Sequence, residues 1–384
     1  MTIDFEALRR RFPVLERKTY LNSGSYCALA DTVRDAFNSY MDDRLAVGAN
    51  WDVWIGKNEA VRAAMARVLR VTPDEIAVTT SASAGINALA SALDFTGPRK
   101  KVVISDFEFP TNAQIWHAQE VLGAQVVHVP RAADGYIPLE SFARLIDDRT
   151  QLVAVTQVCF RNGARLDVAG ITRLAHERGA RVMVDCYQAI GAMTVDARAL
   201  DVDFAVGGML KYLLGTAGIG FLYVRSGLIR QLVPSNSGWF AQQDIAAMDI
   251  TANRPSRSAR RFEAGTPPVV NCYAAEAGLQ IILEMGTDVI ESRVRVLTRR
   301  CMEGLAAIGW PAVTPMDDAR RGPMVAVPSR DAAGLYARLL EQDIVTSFRD
   351  NNVRATIHFY NSEADVDRFV AAMAGHRARF GPQA

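Results

Sequence analysis

Lysine is scarce in this chain, which carries only Lys18, Lys57, Lys100, Lys101 and Lys211 and leaves the rest of its positive charge to arginine. The first four sit among polar or charged neighbours, the setting of a solvated ammonium. Lys211 lies instead in GGMLKYLLGTAGIG, residues 207 to 220, among apolar residues, glycines and a threonine. An ammonium taken out of water is costly unless it is paired or gives up its proton. A buried amine that is readily neutral is a nucleophile and a base; the ordinary alternative is a long side chain snorkelling to the surface. Two further stretches bear on the choice. RVMVD brings a β-branched run to Asp185, with Gln188 three residues later, and AVTTSASAGINALASAL passes from a strand through a Ser- and Gly-bearing turn into a helix. The first amides of that helix, at Ala82, Ser83 and Ala84, have no intrahelical acceptor and suit a phosphate.

Singly, each has an ordinary explanation: Asp185 as a helix cap, TTSASAG as an N-cap cluster, Lys211 as a surface residue. GTAGIG looks like a dinucleotide loop, but it precedes the strand FLYV instead of following one, so the context that motif needs is missing. Together, an anion cradle, an acid at one strand tip and a lysine just past another are what pyridoxal 5′-phosphate requires. The amine condenses with its aldehyde, the carboxylate keeps the ring nitrogen protonated so that the ring draws electrons from the substrate, and the cradle holds the phosphate.

Short β-branched runs recur through the middle of the chain: KVVISD at 101, AQVVHVP at 124, QLVAVTQV at 151, RVMVDC at 181, DFAVGG at 203 and GFLYVR at 220. Between several of them lie amphipathic stretches such as DVAGITRLAHERGA, with apolar residues at helical spacing and a Gly stop. Alternation of this kind predicts an α/β fold with a mainly parallel sheet covered on both faces, and ligands bind such sheets beyond the carboxyl ends of the strands. From about 227 to 268 the pattern gives way to an irregular segment, followed by the helix NCYAAEAGLQIILEMG, a second helical stretch from about 286 and a smaller α/β region. The expected division is a large domain over 20–268 and a small one built from 1–19 and 269–384.

With 43 basic and 42 acidic residues among 384, the net charge of +1 provides no footprint for nucleic acid or an anionic membrane. Five scattered cysteines and five scattered histidines, with no CxxC and no helical His pair, argue against a disulfide framework or a metal site. MTIDFEALRRRF lacks the apolar core of a signal peptide, and no stretch approaches 18 uncharged apolar residues. The expectation is a cytoplasmic enzyme without metal, nucleic-acid or membrane partners.

VDCYQAIG, DFAVGGMLKYLLGTAGIGFLYV, RRFEAGTPP and VRATIHFYNSEADVD, in that order and over nearly the whole chain, resemble the class V, cysteine desulfurase-like branch of the fold-type I pyridoxal-phosphate enzymes, which includes kynureninase and isopenicillin N epimerase relatives. The resemblance implies a seven-stranded large domain, a smaller C-terminal α/β domain and a homodimer with its site at the interface. It makes Lys211 the covalent anchor of the cofactor, Asp185 the partner of the pyridinium nitrogen and Gln188 a contact of the phenolic oxygen. Ser83 becomes a phosphate ligand, with Ala82 beside it in the cradle; Thr266 would reach the partner chain's phosphate, and Arg354 would grip the substrate α-carboxylate. Phe109 takes the ring-stacking position that is histidine in desulfurases, and a phenyl face stacks but passes no proton.

Departures matter too. Desulfurases carry Ser-x-His-Lys where this chain has Gly208 and Leu210, so the phosphate grip must come from elsewhere, with Tyr187 and Trp239 as candidates and Trp239 also a candidate substrate contact. A desulfurase presents a cysteine upstream of the carboxylate-binding arginine; QDIVTSFRDNNVRAT has none, and Arg349 there is either a second substrate contact or a solvated charge. With Lys211 as general base at Cα, the leading expectation is an aminotransferase acting on an α-amino acid. A C–S or other β-eliminating lyase comes next, then an epimerase; kynureninase, cysteine desulfurase and a non-catalytic cofactor-binding protein rank lower.

Overall fold

The structure, a computed structural model, describes residues 4–382. From the amino end come α1 (Phe5–Arg9), the two-residue β1 (Thr19–Tyr20), α2 (Asp31–Val47) and α3 (Trp51–Leu69). Strands and helices then alternate as β2 (Ile76–Thr79), α4 (Ala82–Ala90), β3 (Lys101–Ser105), α5 (Pro110–Ala118), β4 (Gln125–Val129), α6 (Leu139–Ala143), β5 (Thr150–Thr156), α7 (Val168–Glu177), β6 (Arg181–Asp185), β7 (Phe204–Gly208) and β8 (Gly220–Val224). After α8 (Ser226–Ile229) an irregular stretch leads to α9 (Val269–Met285) and α10 (Thr287–Ala307). The chain finishes with β9 (Met324–Pro328), α11 (Ala332–Glu341), β10 (Ile344–Val345), β11 (Ser347–Arg349), β12 (Asn352–Thr356) and α12 (Glu363–Phe380).

The seven strands β2 to β8 form one sheet in the order β2-β8-β7-β6-β5-β3-β4. β7, β6, β5, β3 and β4 are parallel, and β8 is antiparallel to both its neighbours, β7 and β2. Consecutive residues enter opposite cores: Val182 and Val184 join one that includes α3, α7 and α9, while Met183 joins the other with α4 and α5. Both faces are therefore apolar, and the period-two pattern is hidden in unbroken apolar runs.

The second unit is the antiparallel sheet β11-β12-β9, packed with α10, α11 and α12 around Leu297, Trp310, Leu335 and Phe369. The amino-terminal segment touches both units. Phe12 and Leu15 enter the large core, whereas Leu21 joins the small one, β1 pairs with β10, and Arg9 binds Asp365 at 2.6 Å.

Packing places the change of core later than 268/269. Cys272, Ala275, Leu279 and Ile282 of α9 belong to the large core, and the handover falls inside α10, between Val294 and Leu297. Gly278 explains the attachment: a Cβ there would stand 2.6 Å from the Leu214 carbonyl carbon and 2.7 Å from the Leu213 oxygen. The bare helix surface thus backs the turn that follows Lys211. A second difference concerns Lys101, which is buried at the start of β3, with Nζ bonded to the Leu145 carbonyl at 2.6 Å and to Asp147 at 2.8 Å. Its polar neighbours are partners at a strand end, not signs of solvent. The five cysteines are free and buried, and among the described residues no helix is long and apolar enough to cross a membrane.

One buried ion pair fixes the strand that leads into α4. Arg62 of α3 binds Glu263 at 2.5 Å and the Ile76 carbonyl at 2.6 Å, while Glu263 also accepts the Val78 amide at 2.8 Å. Arg62→Met leaves Glu263 without its counter-charge, and chemical unfolding should show a loss of about 3–5 kcal/mol. A loss below about 1 kcal/mol, the scale of an exposed pair, would show that the pair is not desolvated.

Candidate active site

The parallel strands end on one edge of the sheet, and the chemical residues stand there. Asp185 is the last residue of β6, Thr156 the last of β5, Phe109 caps α5 beyond β3, and Lys211 follows β7 by three residues. A cavity of about 270 Å³ opens between them, near the lower end of small-ligand sites. Lys211, Asp185, Gln188, Phe109, Ala82 and Ser83 all line it. A more open depression of about 820 Å³ lies among residues 234 to 254, away from these groups.

The first turn of α4 supplies the anion site. Ser81 caps it, its hydroxyl accepting the Ala84 amide at 3.0 Å and its carbonyl the Gly85 amide at 3.1 Å. Ala84 is thus spent on the cap, and the N–H groups of Ala82 and Ser83 are the donors left facing the cavity. Gly220 permits the close approach of this turn to β8, since a Cβ there would lie 2.9 Å from the Ala82 nitrogen.

Lys211 Nζ stands 4.1 Å from the centre of the Tyr187 ring and 5.9 Å from that of Phe109. Burial lowers its pKa to about 8; Asp185 pulls it up, and Arg354 pushes it further down. Asp185 is itself buried, which raises its pKa, against the Tyr187 amide that Oδ1 accepts at 2.9 Å and the charge of Lys211. Gln188 donates to the Gly24 carbonyl at 3.1 Å, and its Oε1 is buried without a partner.

Arg354 is buried on β12. One guanidinium nitrogen donates to the Phe160 carbonyl at 2.5 Å, another to the Ser347 hydroxyl at 3.0 Å, and Nε is buried without a partner. Burial and then the charge of Arg349 bring its pKa down to about 10. It stands behind Phe160, which lines the cavity, and does not itself form the wall. Arg349 is exposed on β11 near Arg354 and is not on the wall either.

Two expected residues lie elsewhere. Trp239 packs edge-on against Trp51 at 5.7 Å and donates its indole N–H to the Ile245 carbonyl at 2.6 Å. That bond and packing commit it to the 234 to 254 segment, so Trp239 does not reach this chain's own cavity. Thr266 is exposed on the turn before α9, beside Ala84 and Asn236. Residues that the motifs did not single out complete the site. Phe160 meets the Phe109 ring edge-on at 5.1 Å. Behind Phe109, buried Glu108 accepts from the Ser105 hydroxyl at 2.5 Å, Asn112 at 2.6 Å and the Thr156 amide at 2.9 Å. Burial drives the Glu108 pKa up to about 8, against these bonds. Its position directly before Phe109 and three residues after Ser105 was the available signal.

The residues fit pyridoxal 5′-phosphate. Two spare amides meet a phosphate, a carboxylate faces the interior for the ring nitrogen, and an amine of lowered pKa stands between; the orphaned Gln188 Oε1 marks unfinished hydrogen bonding in the same place.

Comparisons with known proteins agree with the geometry. The family model described as aminotransferase class-V matches residues 53–369. An uncharacterized aminotransferase of Bacillus subtilis, YcbU, is 32% identical over 369 residues, covering 96% of this chain and 97% of its own. A cysteine desulfurase of Salmonella dublin is 28% identical over 97% of this chain and 98% of its own. The apo structure of a cysteine desulfurase from Thermococcus onnurineus NA1 superposes with a TM-score of 0.88 at 24% identity, covering 98% of each chain; at that identity the likeness concerns the fold.

The depressed Lys211 predicts how the cofactor-free protein reacts. Reductive alkylation of Lys211, followed by peptide mass spectrometry, should rise with pH around a midpoint near 8. Asp185→Asn should move the midpoint down and Arg354→Met should move it up. A midpoint at the ordinary lysine value of roughly 10.4 would refute the desolvated setting.

Proposed function

The chain belongs to the aminotransferase class-V family and is a pyridoxal-phosphate-dependent enzyme, and from that premise we propose that it is an aminotransferase acting on an α-amino acid. The observation that carries the proposal is the desolvated amine of Lys211, flanked by Asp185 and by Arg354 with its unpartnered Nε. When bound, pyridoxal 5′-phosphate supplies an aldehyde for the amino group and an electron-withdrawing ring. The chain's own residues do the rest. Ala82 and Ser83 would hold the phosphate, Asp185 would keep a proton on the ring nitrogen, and Phe109 would pack against the ring. Arg354, whose Nε has no protein partner, would take the α-carboxylate from behind Phe160. Lys211, whose lowered pKa leaves a large neutral fraction near pH 8, would be the base that takes the proton from the substrate's Cα and returns it.

Three observations favour this over its neighbours. No cysteine lines the cavity, and the Gln342 to Thr356 segment has none, so no thiol is in place to take up sulfur. Phe109 holds no proton, which disfavours an epimerase with a second base on that side. A relative 32% identical over nearly the whole chain is named an uncharacterized aminotransferase.

We also infer a homodimer that shares its sites. Thr266 is exposed and outside its own chain's cavity, as a residue serving a second copy must be. Leu45 and Val47 of α2 and Met248 and Ile250 of the irregular segment are exposed apolar surface, the kind that a second copy covers.

A panel of amino acids with a keto-acid acceptor should convert the cofactor to its amine form and yield keto acid. Release of pyruvate with ammonia would point to β-elimination instead. Arg354→Ala should cost about 2–5 kcal/mol in kcat/KM, the scale of losing one partner of a desolvated charge pair; an unchanged value for every substrate would overturn its assignment. For the shared site, mixing inactive Lys211→Ala chains with weakened Thr266→Ala chains should restore one intact site per hybrid dimer. No gain over the separate proteins would count against sharing.

A further inference from the structure

Gly208 and Tyr187 occupy one space between them. A Cβ built on Gly208 would overlap the Tyr187 hydroxyl and the ring carbons next to it, so the phenol rests on the bare backbone of β7. Gly208 pairs directly with Gly220 of β8, and opposite residues of an antiparallel pair point to the same face. On that face, a Cβ on Gly220 would lie 2.9 Å from the Ala82 nitrogen. The Tyr187 hydroxyl is therefore seated on the same side of the sheet as the first turn of α4, one strand over from the place where the Ala82 amide meets Gly220. Tyr187 and Ala82 line the same cavity.

The rest of Tyr187 is fixed by the site. Its amide donates to Asp185 Oδ1 at 2.9 Å, and its ring lies over Lys211 Nζ at 4.1 Å. Among the described residues its hydroxyl makes no hydrogen bond to protein, and the half-buried side chain lies on the cavity wall. Burial and the nearby Asp185 raise its pKa far above neutrality, so the hydroxyl keeps its proton and remains a donor. A fixed donor beside two free backbone amides completes a three-point grip on an anion.

We infer that the Tyr187 hydroxyl is a ligand of the cofactor's phosphate, and that Gly208 is glycine because the phenol fills the place where its own side chain would stand. This rests on the cofactor reading of the site. The two positions form an exclusive pair, in which one residue at a time delivers a hydroxyl to that point.

The test uses binding to the cofactor-free protein, measured by equilibrium dialysis with pyridoxal 5′-phosphate and with pyridoxal, which lacks the phosphate. Tyr187→Phe should weaken the phosphorylated ligand by about ten- to a hundredfold, the range for a hydrogen bond to a charged group, and leave pyridoxal unchanged. Gly208→Ser should weaken it as well by displacing the phenol, and Tyr187→Ala with Gly208→Ser should bind better than either single variant. Circular dichroism checks that each variant is folded, and Tyr187→Phe keeps the test available if Gly208→Ser is not. Unchanged binding in Tyr187→Phe, or an equal loss for both ligands, overturns the inference. Neither result touches the cofactor assignment, which fails separately if borohydride does not fix the cofactor to Lys211 in the wild-type protein.

Discussion

The site depends on keeping two cations and one carboxylate dry within a few side chains of one another. Lys211 and Arg354 each lose hydration, and each has its pKa lowered by burial. Asp185 is the carboxylate that acts on Lys211 and Asp350 one that acts on Arg354, while Glu108 is driven toward its protonated form by burial, with Asp185 adding a smaller push in the same direction. The balance leaves positive charge without a partner, which a folded protein bears only where a ligand brings the missing anions. A phosphate at α4 and a carboxylate at Arg354 are anions of the kind that this imbalance selects. Burial is what brings the Lys211 amine toward neutrality, with Asp185 opposing it and Arg354 adding a smaller push in the same direction.

The sheet makes this arrangement tolerable. Because β5, β6 and β7 are parallel, Thr156, Asp185 and Gly208 end at one edge, and backbone groups that leave a strand there can turn inward. Helix α9 then closes the rear of the lysine turn through Gly278, and the Arg62–Glu263 pair ties β2 to α3 and to the segment that carries Thr266. Charges buried for chemistry are supported by charges buried for position. The two sets differ in how they are satisfied: Glu263 accepts from both Arg62 and the Val78 amide, whereas Arg354 Nε and Gln188 Oε1 have no partner.

Much of this was legible in the chain itself, for physical reasons. An apolar β-branched run ending in Asp185 and a lysine isolated among glycines are local signals, and a parallel sheet brings such signals together without further information. The irregular segment was legible only as irregular. Trp239 was expected at the site, but side-chain packing against Trp51 decides its place, and no period in the sequence encodes that contact. Lys101 misled for the opposite reason: Asp147 and the Leu145 carbonyl, distant in sequence, give its ammonium partners inside the protein. The change of core within α10 followed the same rule, since Gly278 was read as part of a helix and acts as a contact surface.

The pairing of Phe109 with Lys211 narrows the chemistry further. Phe109 caps α5 at the cavity, held from behind by Glu108 and from the side by the edge of Phe160. The phenyl ring, though 44% exposed, offers no group that ionises. Proton traffic must then pass on the side of the amine, where Tyr187 stacks on Lys211 and limits where Nζ can travel. A single base that takes a proton and returns it on one side suits transfer between two carbons that flank one nitrogen better than inversion at one of them. A substrate side chain entering here would meet apolar surface on the wall formed by Phe109, Phe160, Ile86 and Leu210.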